Sequence, residues 1–378
     1  MTDDPSSRNR LPVLRPRLPS VDRLLPYLRT IDDTRIYSNH GPLLLAFERR
    51  LARQLQLEEG SVTCTSSGTA AIVGSILATA GRATAKAPLA LIPAFTFVAT
   101  AAAVQQCGYE PYLADVTADD WMLDPAALAR HPVLHKVGVV VPVAPFGRPV
   151  PQEPWREFHE ATGIPVVIDG AASFDTILEA PARHLGELPV ALSFHATKSF
   201  GTGEGGAVVT TNMQLALRAQ RSLNFGFFGI RDSRSPSTNG KMSEYNAAVG
   251  LAELDEWQSK QAALSSVMTR YREAMQAVQL AHLLYTHPSI SLCYSLLLCR
   301  AASEAQAVQH SLDLNNIDSR QWYGTGVQGH SYFSGLPKDR LDVATDILPR
   351  LIGLPVAPDL TILDIQHVVG AIRLAIAS

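Results

Sequence analysis

The sequence predicts an α/β protein: a large domain around a mostly parallel sheet, then a smaller α+β domain at the C-terminal end. Three observations carry this reading. Between about residues 60 and 215, short apolar runs without polar alternation take turns with longer runs at helical spacing. Strands that lack alternation are buried on both faces, the habit of parallel strands joined by helices. After Asn239 the text turns helical, and the last hundred residues mix short strands with helices.

Taken in order, the first ~20 residues are rich in Pro and Arg and read as an extended lead-in. Residues 43–51 space their apolar side chains as a helix does. Residues 62–65 read as a strand and 69–80 as the helix after it, 89–92 as a strand and 98–106 as its helix, and 111–115 as a third strand. The valine-rich runs 137–143 and 166–169 read as buried strands, and 207–211 as a strand leaving a glycine-rich loop. A polar loop, 231–240, leads into helical text from 243 to about 279, as one or two helices. Strand residues 291–298 and helices over 302–312 and 362–375 complete the chain. The organisation expected is an arm (1–35), a large α/β domain (36–245) and a small α+β domain (246–378).

Composition narrows the function classes. The chain has 378 residues and 46% hydrophobic content, enough to bury a sizeable core without staples. Lys and Arg number 32 against 35 Asp and Glu, a net charge of -3, so nucleic acid is not expected as a partner. Cys64, Cys107, Cys293 and Cys299 form no CxxC and stand beside no His pair at zinc-finger spacing, so no metal is expected and reduced thiols are. The N-terminus carries Arg8, Arg10, Arg15 and Arg17 without an apolar segment, unlike a signal peptide, and no apolar run reaches the ~18 residues of a membrane helix. A cytoplasmic enzyme is the expectation.

Three short motifs bear chemistry. Ser66–Ala71 places small residues between a strand and a helix, where backbone N–H groups and the helix N-terminus attract phosphate, although Ser, Thr and Gly are favoured there as plain caps too. Asp169 ends a valine-rich strand, where ligand sites of α/β folds form, or where an Asp caps the next turn. Lys198 sits among small and apolar residues before a glycine-rich loop. A partly desolvated lysine there serves as nucleophile or base, while a solvated lysine head is the plainer reading. His195 is an acid–base candidate or a packed side chain. Gly201, Gly203 and Gly206 match GxGxxG, but a strand follows instead of a helix, so the dinucleotide reading is rejected in favour of a tight loop. In combination these are the three parts a pyridoxal phosphate site needs: donors for the phosphate, a carboxylate for the ring nitrogen and an amine for the aldehyde.

The same residues resemble the DegT/DnrJ/StrS sugar aminotransferase family, of the aspartate-aminotransferase-like fold type I of pyridoxal-phosphate-dependent transferases. The matching text is SGTAAI (67–72), PAFTFVATAAAV (93–104), VVIDGAA (166–172), SFHATKSFGTGEGGAVVT (193–210) and NGKMSEYNAAVGLAEL (239–254), with SNHGPLLLAFE before them and GLPVAPDLTILDI after. The resemblance runs from about residue 36 to the end. It implies that Lys198 carries the cofactor and moves protons, that Asp169 pairs with the pyridine nitrogen, and that Thr69, Ala70 and Ser193 hold the phosphate, with Gly68 giving close approach. It implies that Phe97 stacks on the ring and that Asn239 reaches the cofactor of the other subunit in a homodimer with shared active sites.

The chain departs from the family at Ala172, where Gln is usual, and at Gln328, where His is usual, with His330 nearby; the linker from Ala80 to Ala87 is short. The activity implied is transfer of an amino group, from an amino-acid donor such as L-glutamate, to a nucleotide-linked keto-6-deoxysugar, carbon 4 favoured over carbon 3. Arg221, Arg231 and Arg234 are candidates for the diphosphate. Alternatives are a cyclitol ketone as substrate, a non-catalytic protein of the same fold, and a sugar dehydratase, whose relatives carry His where Lys198 stands.

Overall fold

The computed structural model describes residues 10–285 and 289–376. The first part of the chain runs α1 (Val21–Thr34), α2 (Pro42–Gln54), β1 (Val62–Thr65), α3 (Gly68–Thr79), β2 (Leu89–Pro93), α4 (Val98–Gln106), β3 (Glu110–Ala114), α5 (Pro125–Leu128), β4 (Val137–Val140) and α6 (Gln152–Thr162). Then come β5 (Ile168–Asp169), α7 (Phe174–Ile177), α8 (Pro181–His184), β6 (Val190–Ser193), β7 (Gly206–Val209), α9 (Met213–Ser222) and α10 (Glu244–Ala277). The rest is β8 (Leu284–Tyr285), β9 (Ser295–Leu298), α11 (Ala302–Leu314), α12 (Asp342–Ile347), β10 (Leu351–Leu354) and α13 (Ile362–Ile376).

The strands of the first part form two ladders, β3-β2-β4 and β5-β6-β7-β1. Parallel bridges Val140–Val166 and Val143–Asp169 join them, with Asp169 N donating to Pro142 O at 2.9 Å. The result is one mostly parallel sheet in the order β3-β2-β4-β5-β6-β7-β1, in which β7 alone runs against its neighbours. That agrees with the fold class read from the sequence. β1, β2, β6 and β7 are buried along their whole length, which is why their text shows no alternation. Every residue of α3 from Ala71 to Ala78 is buried as well, so this helix is apolar on all sides.

The C-terminal part holds the antiparallel ladder β10-β9-β8, with α11 and α13 beside it. The strand read over 291–298 shortens to β9, because 291–294 turn instead, with Tyr294 N donating to Ser291 O at 3.0 Å. The stretch read as one or two helices after residue 243 is a single helix of 34 residues. No proline interrupts it, and Gly250 faces Phe47 so closely that an added Cβ would lie 2.4 Å from the ring. Its first half contributes Ala247, Leu251 and Trp257 to the core under the main sheet, and its second half gives Val267, Tyr271 and Met275 to the core of the C-terminal part.

Glu244 opens α10 and also caps the start of α2. The N-cap of α2 is Gly41, which has no side chain to offer, and the Glu244 carboxylate accepts from Leu43 N at 2.8 Å and Leu44 N at 2.9 Å instead. The lead-in is extended where it is described: Leu11 bridges Ile317, Leu14 bridges Val356, and Arg10 pairs with Asp313 and Asp318.

On α2, the Glu48 carboxylate turns inward to accept from Cys64 N at 2.8 Å, and burial pushes its carboxyl up to about 7. A folded-state value above the unfolded one means that Glu48 contributes its full stability below about pH 4.5 and loses it as pH rises through about 7. Relative to Glu48→Gln, wild type should therefore lose on the order of 2 kcal/mol between pH 5 and pH 8. Urea unfolding of both proteins at the two pH values checks this, and parallel pH dependences would show that Glu48 does not titrate there.

Candidate active site

The carboxyl ends of β4, β5 and β6 and the start of α3 surround a cavity of about 460 Å³. Parallel strands deliver their last residues to one edge, so side chains far apart in sequence meet there. Asp169, the last residue of β5, is 4% exposed. Its Oδ2 accepts from Thr100 Oγ1 at 2.7 Å and its Oδ1 from Ala171 N at 3.1 Å. Burial pushes the carboxyl up, while Thr100, the Ala171 amide and the nearby Lys198 charge favour the anion. An anion held this way suits a protonated ring nitrogen.

Lys198 lies on the loop between β6 and β7. Phe194 N donates to Gly205 O, Thr202 N to Phe194 O and Ala196 N to Gly203 O, which folds the loop on itself. Phe194 and Phe200 are fully buried against Phe47, Phe174 and Trp257 and anchor its two sides. Lys198 is left facing the cavity, its Nζ donating to Tyr294 Oη at 3.1 Å. The glycines serve the tight loop read from the sequence. Gly203 has φ +85°, and a Cβ on Gly206 would lie 2.6 Å from Leu192 O and 2.7 Å from Ser67 O.

At the other end of the cavity are Ser67, Gly68, Thr69 and Ser193. Ser67 Oγ accepts from Ala70 N at 3.1 Å, so the amide of Ala70 serves the cap, and Ala70 is not among the cavity-lining residues. A Cβ on Gly68 would lie 2.6 Å from Ser193 Cβ, which is why the helix start and β6 can meet here. Phe97, 58% exposed as the N-cap of α4, lines the mouth. The structure thus brings Gly68, Thr69, Phe97, Asp169, Ser193 and Lys198 together. Asn239 is exposed outside this cavity, its Oδ1 accepting from Lys241 Nζ at 2.8 Å. Of the loop arginines, Arg234 pairs with Asp232 and Arg221 lies 5.9 Å from the Phe228 ring centre; neither lines the cavity.

Other lining residues carry no signal that sequence reasoning used. Thr100, in the first turn of α4, lies beside Thr96, which precedes the N-cap, their hydroxyls 3.0 Å apart. Tyr294, Arg320, Trp322 and Tyr323 come from the C-terminal part, about a hundred residues beyond Lys198. The Arg320 guanidinium lies 5.3 Å from the Trp322 ring centre, at the cavity. Neither Gln328 nor His330 is among the lining residues. Ala172 does line it, and beside it Ser173 Oγ is buried with no hydrogen-bond partner among the described residues. His195 sits at the rim, Nδ1 2.8 Å from Thr197 Oγ1 and Nε2 3.7 Å from the Glu204 carboxylate.

The donor set fits pyridoxal phosphate: a helix N-terminus with Thr69 and Ser193 for phosphate, a buried carboxylate for the ring nitrogen, and an amine between them. Among the described residues, no helix is long and apolar enough to cross a membrane, and all four cysteines are free and buried.

Comparison with known proteins agrees. The model of the DegT/DnrJ/EryC1/StrS aminotransferase family matches residues 21–373. Protein Rv3402c of Mycobacterium tuberculosis (strain ATCC 25618 / H37Rv) is 31% identical over 96% of this chain and 90% of its own. The dTDP-4-amino-4,6-dideoxy-D-glucose transaminase of Escherichia coli is 25% identical, covering 93% of this chain and 94% of its own. Among solved structures, a putative PLP-dependent aminotransferase from Bacillus cereus ATCC 10987 superposes with TM-score 0.88 at 29% identity, covering 96% of this chain and 100% of its own. DesI, solved in the presence of its TDP-sugar product, superposes with TM-score 0.84 at 28% identity, covering 97% and 93%. A family match along nearly the whole chain, over a cavity that joins the lysine, the carboxylate and the phosphate-suited helix start, has one reading: this chain belongs to the DegT/DnrJ/EryC1/StrS aminotransferase family and is a pyridoxal-phosphate-dependent aminotransferase.

Proposed function

We propose that the enzyme moves an amino group from an amino-acid donor, L-glutamate in the first instance, to a nucleotide-linked keto-6-deoxysugar during aminosugar biosynthesis, with the 4-keto sugar preferred to the 3-keto. The observation that carries this is the meeting of Lys198, Asp169, Ser193 and the start of α3 in one cavity of about 460 Å³. The nucleotide-sugar class is supported by the relatives named for dTDP-aminodideoxyglucose and by the neighbour solved with a TDP-sugar.

When bound, pyridoxal phosphate supplies an aldehyde and an electron-withdrawing ring. The chain's own residues do the rest. Thr69, Ser193 and the first turn of α3 hold the phosphate, with Gly68 allowing the approach. Asp169 keeps the ring nitrogen protonated through a charge-assisted hydrogen bond in a buried place. Phe97 covers the ring from the mouth. Lys198 Nζ takes a proton from the α-carbon of the donor and returns one to the carbon that becomes aminated. Arg320, free of any acidic partner among the described residues, offers a cation for a carboxylate or phosphate of the incoming substrate.

The unit that works is proposed to be a homodimer. Asn239 and Lys241 are held beside each other on an outer loop, away from their own cavity, and Phe225, Phe228 and Ile230 of that loop are exposed. Placed at the partner's phosphate end, Asn239 would complete that site. Mixing Lys198→Ala chains with Asn239→Asp chains should then restore activity, because one of the two sites in a mixed dimer is intact. No recovery, with mixed dimers shown by mass, would place Asn239 elsewhere.

Lys198→Ala should abolish turnover and the visible absorbance of lysine-bound cofactor. Borohydride reduction of wild type followed by peptide mapping should put the pyridoxyl group on Lys198 alone; the same group on another lysine overturns the assignment. The substrate class is tested with dTDP-, GDP- and UDP-linked keto-6-deoxysugars, cyclitol ketones and simple 2-oxo acids, each with glutamate, product mass being the readout. Sites that hydrogen-bond hydroxyls reject analogues lacking them, by ~10⁴-fold in strong cases. Turnover should therefore fall on one or two nucleotide sugars, and turnover of cyclitols alone would replace the sugar reading while leaving the aminotransferase chemistry in place.

A further inference from the structure

Asp175 lies on α7, six residues beyond Asp169, and nothing said so far uses it. It is 3% exposed, and its carboxylate accepts three hydrogen bonds from two separate parts of the site. Oδ1 accepts from Ser199 Oγ at 2.8 Å, on the residue next to Lys198. Oδ1 also accepts from Ser291 Oγ at 2.7 Å, and Oδ2 from Leu292 N at 2.7 Å, both in the turn that ends at Tyr294. Ser199 and Ser291 are themselves buried. A buried carboxylate is costly unless its lone pairs are filled, and here three donors fill them. One side chain therefore ties the lysine loop of the main sheet to the turn that carries Tyr294.

That turn presents the phenol whose oxygen is 3.1 Å from Lys198 Nζ. The Tyr294 ring is held edge-on by Phe146 at 5.3 Å and by Trp322 at 5.4 Å, so the hydroxyl has a fixed position. Burial holds this phenol well above its ordinary range, so it is neutral and offers lone pairs. A lysine acts as a nucleophile only as the neutral amine, with two hydrogens and one lone pair. Giving one hydrogen to Tyr294 Oη stops free rotation about the Cε–Nζ bond and leaves that lone pair two directions instead of three. Condensation of the amine with an aldehyde forms a C=N bond, breaks the C=O bond and releases one water, and Tyr294 neither gains nor loses a proton overall.

We propose that Tyr294 is a catalytic residue that aims the Lys198 amine, and that Asp175 is a positioning residue that acts through Tyr294 and Ser199. The proposal rests on Lys198 being the cofactor-bearing lysine. It deepens that reading by naming what holds the amine whenever the lysine is free.

The test follows visible absorbance after pyridoxal phosphate is mixed with the full-length chain stripped of cofactor, so that the rate of lysine linkage is read without turnover. Tyr294→Phe should slow linkage ~10- to 100-fold, the scale of a lost orientation, with the thermal midpoint within ~2 °C of wild type. Asp175→Asn should slow it to a similar degree, and the double variant should be no slower than the slower single one. Linkage at the wild-type rate in Tyr294→Phe overturns the catalytic role. Multiplying effects in the double variant overturn the claim that Asp175 acts through Tyr294. If Asp175→Asn does not fold, Ser291→Ala and Ser199→Ala each remove one donor and should slow linkage several-fold; wild-type rates in both overturn the positioning role. Peptide mapping after borohydride separates the two failures. A label on Lys198 with unchanged Tyr294→Phe kinetics sinks only this proposal, and a label on another lysine sinks the site reading beneath it.

Discussion

A carboxylate kept out of water at the end of a core strand is the constraint around which the site is arranged. Asp169 is buried, and an isolated anion there would cost several kcal/mol. Thr100 and the Ala171 amide meet part of that cost by donating to its two oxygens. Lys198 contributes a positive field from across the cavity. A cation in the cavity would meet the rest, the part proposed for the protonated ring nitrogen of the cofactor. The same burial raises the carboxyl's affinity for a proton, so the hydrogen bonds from Thr100 and Ala171 are what favour its charged form.

The sheet supplies this geometry because of where its strands end. β4, β5 and β6 run the same way, so residues 143, 169 and 193 arrive at one edge although the chain travels 50 residues between the first and the last. β7 then returns against β6, and that reversal needs a loop, which is where Lys198 sits. The reversal also needs Gly206, because β7 starts where Leu192 O and Ser67 O leave no room for a side chain. The lysine and the phosphate end are consequently set by one backbone crossing: a shift at Gly206 would move the loop of Lys198 and the cap of α3 together.

Much of this was legible locally. The sequence reading of β1 matches the structure residue for residue, and the α4 range agrees at both ends, because buried apolar runs and small-residue starts are properties of neighbouring residues. Asp169 and Lys198 were legible because each closes or follows such a run. β6 escaped notice: four residues, Val190–Ser193, with no flanking periodicity, are a strand only because β5 and β7 lie on either side. The arm read over residues 1–35 is helical from Val21 to Thr34, with Pro26 inside the helix. Thr100, Asp175, Tyr294 and Arg320 were out of reach for a different reason. Their roles come from contacts across 69, 24, 96 and more residues, and no local pattern in a single sequence encodes such pairings.

Those long-range contacts also decide how much of the enzyme must be in place before it can work. Tyr294, Trp322 and Tyr323 reach the cavity from the C-terminal part, and the rings of Tyr294 and Tyr323 pack on Phe146 of the large one. Tyr323 stacks on Phe146 at 4.5 Å and meets Phe95 edge-on at 5.0 Å, while Tyr285 stacks on Trp121 at 4.3 Å. Separating the two parts would expose several of these rings, at about 2 kcal/mol apiece. Ion pairs at such a seam would loosen with salt, whereas buried rings do not. The consequence is a site whose far wall is fixed by apolar packing.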